Sequence, residues 1–129
     1  MSHLLKLTAI LETATGLALM AVPSIVVRLL LGSVIDAPSA VMPGRVAGAA
    51  LTALGVACWL ARNDTQSRAA RGLVAAILLY NIAIVAALAF AGVGHGLQGM
   101  LLWPAVVIHA GMAVWCIACL RRSPRHVMN

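Results

Sequence analysis

The chain alternates between long stretches almost free of charge and short links that carry most of its charge. Four stretches are long enough to cross the ~30 Å hydrocarbon layer of a bilayer, which takes about 20 residues of helix. They run over roughly residues 4–22, 44–61, 72–92 and 99–120. The first runs into Pro23. Pro43 stands at the expected first turn of the second, and Pro104 near the start of the fourth. Each stretch is predicted to be helical, because an open strand would leave backbone groups unpaired in lipid. Between the first two lies a further apolar segment, residues 23–32, interrupted only by Ser24 and Arg28. It reads as a continuation past a proline kink or as a short helix in the interface, with Arg28 snorkelling. The remaining links, RNDTQSRAARG and GVGHGLQG, are short and favour an up-down-up-down order.

Composition sharpens this into a class. Hydrophobic residues make up 63% of the 129 residues and charged residues 9%, where soluble domains carry about a quarter charged. A water-soluble fold this small could not hide so much apolar surface. The expected fold is all-α: a polytopic integral membrane protein, an antiparallel four-transmembrane-helix bundle, with residues 1–129 as a single domain. Glu12 and Pro23 interrupt the first run and TGLALMAVPS is a poor cleavage region, so that run is expected to stay in place.

The net charge of +6 does not point to nucleic acid, because the basic residues stand at the ends of the apolar runs. Lys6, Arg62, Arg68, Arg71, Arg121, Arg122 and Arg125 fall on one side, Arg28 and Arg45 on the other. That asymmetry places both termini in the cytoplasm. The GVGHGLQG link contains a literal G-x-G-x-x-G, Gly94 to Gly99. Such a turn cradles a dinucleotide only between a strand and a helix, and here it joins two spans.

A charge within the membrane costs ~3 kcal/mol or more, so intramembrane polar residues carry the chemistry. Glu12 is the only acid within a span. Counting about 1.5 Å of rise per residue from the basic end brings Glu12, Tyr80 or Asn81, and His109 into one layer, with Gly55 supplying space. That layer reads as a proton site or as the polar end of a ligand pocket. It reads equally as a hydrogen-bond cluster that fixes helix register. If Glu12 and His109 meet, they form an ion pair, or Glu12 stays neutral. In the second run Gly44, Gly48, Thr52 and Gly55 form a small-residue stripe for close helix contact, with the first run or another copy of the chain as partner.

His109, Met112, Cys116 and Cys119 share one stripe of the last run, and Cys58 lies at the height of Cys116. Soft thiolate, thioether and imidazole groups suit Cu(I). The apolar alternative is that these residues pack as core. Cys116-Ile-Ala-Cys119 on a late span resembles the pair of vitamin K epoxide reductases, small four-helix membrane bundles that work with a quinone. In that family the pair lies at the outer side and exchanges with loop cysteines; here the pair falls at the cytoplasmic end, and no link contains a cysteine.

The segment PSIVVRLLLG after the first run, and RVAGAALTALGVACWLAR as a Gly-rich second span opening with Arg45, resemble DoxX-like proteins and related small bacterial four-helix membrane proteins. The resemblance implies the bacterial inner membrane, and in some members a link to quinone-coupled sulfur oxidation. The function expected first is that of an accessory subunit or lipophile-binding bundle without its own catalysis, surrounded by lipid and assembled as a homo-oligomer or within a larger complex. Alternatives are a quinone- or metal-linked redox protein using His109, Cys116 and Cys119, and a proton-coupled transporter centred on Glu12. Quinone, haem and copper are all compatible with the residues, and none is singled out.

Overall fold

A computed structural model describes residues 1–35, 37–64 and 66–122. Five helices appear in the order α1 (Ser2–Ala21), α2 (Pro23–Leu31), α3 (Pro38–Ala61), α4 (Arg68–Gly94) and α5 (Leu102–Arg122). Among the described residues there is no strand. α1, α3, α4 and α5 are long and apolar enough to cross a membrane.

The helix ends follow from local chemistry, and three differ from the expected bounds. α1 stops because the residue before a proline is driven out of the helical region. Val22 sits at φ −135 and ψ 57, and Pro23 opens α2. The apolar segment at 23–32 is thus a separate short helix. Gly32, at φ 74, closes it in the left-handed conformation.

α3 begins at Pro38 rather than at residue 44, so Pro43 lies inside the helix instead of in its first turn. Pro38 takes the position expected of Pro43. The carbonyl that Pro43 leaves without a partner belongs to Ser39, which is exposed and free to bond water. α4 starts earlier than residue 72 because the Ser67 side chain caps it, its Oγ accepting the Ala70 N–H at 3.1 Å. α5 starts at Leu102, after a turn at Met100 and Leu101, rather than at residue 99.

The helices pack as two pairs, α1 with α3 and α4 with α5, while α2 lies against α1, α3 and α5. Small residues let the first pair close. A Cβ on Gly16 would meet the Thr52 hydroxyl and stand 2.6 Å from the Gly48 carbonyl oxygen. A Cβ on Gly48 would stand 2.6 Å from the Gly16 oxygen, and one on Gly55 would meet the Thr13 hydroxyl and the Ala9 carbonyl. Gly44 faces Pro23. The stripe on the second span is therefore spent inside the chain, on α1 and on the first residue of α2.

The two pairs join through one core cluster. It contains Leu4, Leu5 and Ala9 of α1, Cys58 of α3, Val74 and Ile77 of α4, and Met112, Cys116 and Cys119 of α5. All lie in the half of the bundle that carries Lys6, Arg62, Arg121 and Arg122. Arg62 folds back over Trp59, its guanidinium carbon 4.1 Å from the ring centroid. Arg125 lies outside the described residues.

Two glycine substitutions separate seam packing from helix propensity. Gly16→Val forces α1 from α3 and is expected to cost about 1–3 kcal/mol, as overpacking does. Gly72 meets nothing within 4 Å, so Gly72→Ala should stabilise by roughly 0.5–1 kcal/mol. Thermal unfolding in one detergent reads both; equal responses would contradict the packing described.

Candidate polar site within the membrane

Glu12 sits in the middle of α1, about 15 Å along the helix from Ser2 at 1.5 Å per residue. It is 8% exposed. The Tyr80 hydroxyl of α4 donates to Glu12 Oε2 at 3.3 Å. The Tyr80 ring also meets the His109 imidazole of α5 edge-on, with centroids 5.9 Å apart and planes at 61°. Three spans thus each contribute one polar side chain to a single place, and Tyr80 is the link between the other two.

His109 holds its ring by a bond along its own helix. Nδ1 lies 2.7 Å from the Ala105 carbonyl oxygen. A carbonyl only accepts, so Nδ1 carries the hydrogen there, and in the neutral ring Nε2 keeps its lone pair. Among the described residues no ion pair joins Glu12 and His109, because Tyr80 stands between them. Asn81, equally eligible by height, turns elsewhere. It is 2% exposed, and its Nδ2 donates to the Ile77 carbonyl at 2.8 Å. The space beside Gly55 is taken by α1 itself, since a Cβ there would meet Thr13 and the Ala9 carbonyl.

One residue of the site escaped the sequence reading. Thr8, one helical turn before Glu12, is 1% exposed, and its Oγ1 is the only fully buried side-chain polar atom among the described residues without a partner. A helical threonine commonly bonds the carbonyl one turn back, so nothing in the letters of α1 marks this hydroxyl as unsatisfied. Glu12 Oε1 makes no bond within the described residues either. The site therefore holds hydrogen-bonding capacity that the protein itself does not use.

The cysteines lie elsewhere. Cys58, Cys116 and Cys119 are buried free thiols in the core cluster, with Met112 beside them and Leu4, Leu5, Val74 and Ile77 around them. His109 is drawn away from its stripe-mates by Tyr80 and Ala105. Among the described residues no group of three or more His, Cys, Asp or Glu is placed to hold a metal ion. In this arrangement the thiols act as small apolar side chains that fill the space where all four spans meet.

Two measurements follow. Tyr80→Phe leaves the Glu12 carboxyl without its partner and is expected to cost about 1–3 kcal/mol. In a Glu12→Leu background the same change should cost much less; additive losses in this double-mutant cycle would show that the two side chains do not interact. A maleimide should label all three cysteines slowly in the folded protein and fast after unfolding. Rapid labelling of Cys58 or Cys116 in the folded state would contradict the core described here.

Compared with protein-family models, with curated proteins and with solved structures, the chain matches none. Its resemblance to DoxX-like proteins therefore rests on the segments quoted for it alone.

Proposed function

We propose that this protein is a small non-catalytic component of the bacterial inner membrane that binds a lipophile, with Glu12, Tyr80 and His109 as the polar end of its site. The single observation that carries the reading is the convergence of these side chains from three spans at a buried position. Structural glue alone would use up its hydrogen-bonding capacity, whereas here Thr8 Oγ1 and Glu12 Oε1 are left over.

The proposed architecture is an antiparallel bundle with both termini in the cytoplasm. Its support is partly geometric. Contacts between α1 and α3 pass from Ala9 opposite Gly55 to Met20 opposite Gly48, so numbers rise along one helix as they fall along the other. On α4 and α5, Tyr80 meets His109 and Gly92 meets Leu102, which runs the same way. The excess of Lys and Arg at the end of the core cluster supports the orientation. Assembly with further copies, or with another subunit, would use faces other than the α1–α3 seam, since Gly16, Gly48 and Gly55 are already occupied.

A redox role for Cys116 and Cys119 has less support, because both are walled in by apolar side chains.

Native mass spectrometry of the mildly extracted full chain tests the reading. The wild-type protein is expected to retain a bound lipophile distinct from bulk phospholipid, and Tyr80→Phe and Glu12→Leu to lose most of it. A wild-type protein that carries only phospholipid, in the same amount as the variants, would sink the proposal.

A further inference from the structure

The polar site is sealed on one side and loosely covered on the other. Toward the basic end, the helix stripes that face the seam between the two pairs are fully packed: Leu5, Cys58, Val74, Ile77 and Cys116 are each 0% exposed. Toward the opposite end the same stripes continue as Leu19 on α1, Val85 and Leu88 on α4, and Val106 on α5, all only half-buried. α2 crosses this end as a roof. The Leu101 N–H donates to the Leu29 carbonyl at 2.9 Å, and Gly99 lies so close to the Leu30 backbone that no Cβ would fit. The looser packing makes this the side, beneath α2, from which a ligand would approach Glu12.

The unused valences at the bottom of this seam define what fits. Thr8 Oγ1 is buried without a partner, Glu12 Oε1 is unbonded within the described residues, and in the neutral ring His109 Nε2 is a lone-pair acceptor, Nδ1 donating to Ala105. The Tyr80 hydrogen is already given to Glu12. A hydroxyl group meets this set, since it accepts from Thr8 and donates to Glu12 Oε1 or His109 Nε2. An ether or a ketone only accepts, so it leaves the lone pair of His109 Nε2 dry in the neutral ring. A phosphate or carboxylate head would itself bring a charge to mid-membrane depth, where charge is costly.

We infer that the site takes a lipophile with a single small hydroxyl head, an alkyl or isoprenoid alcohol or a phenol. Its hydroxyl is lowered to Thr8 and Glu12, and its chain runs up the seam under α2. The inference rests on the lipophile-binding reading above and narrows it to a head group.

A matched pair of probes tests it: farnesol and farnesyl methyl ether, which differ in the hydroxyl hydrogen and one methyl. The full chain in phosphatidylcholine nanodiscs is titrated with each, and occupancy is read by native mass spectrometry. Farnesol is expected to bind one per chain and about tenfold better than the ether, the effect of one lost hydrogen bond in a dry site. Thr8→Val, nearly isosteric, should weaken both probes alike, since either oxygen accepts from Thr8, while leaving the melting temperature unchanged or raised, since the hydroxyl has no partner in the ligand-free chain. Equal binding of the two probes would overturn the hydroxyl assignment and leave the lipophile reading standing. No binding of either would overturn both. Farnesol binding undiminished in Thr8→Val would show that the hydroxyl is read elsewhere, and would equally overturn the assignment.

Discussion

A carboxyl group in lipid has no water to fall back on, so its partners must come from the protein or from whatever the protein binds. Glu12 meets that constraint through Tyr80, a residue 68 positions away on another span. The bond links the two helix pairs, which otherwise join through the apolar cluster at the basic end. It also fixes where His109 can pack, since the imidazole lies edge-on to the Tyr80 ring. The placement of Tyr80 and His109 thus traces back to one buried acid.

The two pairs are held by different means. α1 and α3 close backbone to backbone across Gly16, Gly48 and Gly55. Without a hydrophobic drive between helices in lipid, such close approach is a main source of attraction. α4 and α5 instead meet through larger side chains, with Leu102 and Trp103 against Gly92. The core cluster then joins the pairs at the basic end, where the thiols of Cys58, Cys116 and Cys119 fill space between larger side chains. The polar site lies just beyond the tight half, where the same stripes are only half-buried.

Much of this could be read from the letters, for physical reasons. Run length against bilayer thickness gives the spans. A fixed rise per residue gives the common height of Glu12, Tyr80, Asn81 and His109, and likewise sets Cys58 level with Cys116. Rotational phase is another matter. Tyr80 and Asn81 are adjacent, so they point about 100° apart on a helix of 3.6 residues per turn. Only the packing of α4 against α1 and α5 decides that Tyr80 reaches Glu12 while Asn81 bonds Ile77. The partner of the glycine stripe was open for the same reason, since a close-contact face does not name what it contacts. The start of α3 was misplaced because Pro38 and Pro43 give equally good signals. Thr8 was invisible because its distinction is a bond not made.

Glu12 and Tyr80 meet where the two helix pairs face each other. Solid-state NMR on the full chain in lipid, with the Glu12 carboxyl carbon and the Tyr80 ring carbon bearing the hydroxyl labelled, measures that separation directly. A hydrogen bond between the side chains predicts a separation within about 6 Å. The absence of a cross-peak, in a sample where the Gly16–Thr52 contact is seen, would mean that the two helix pairs do not meet at Glu12.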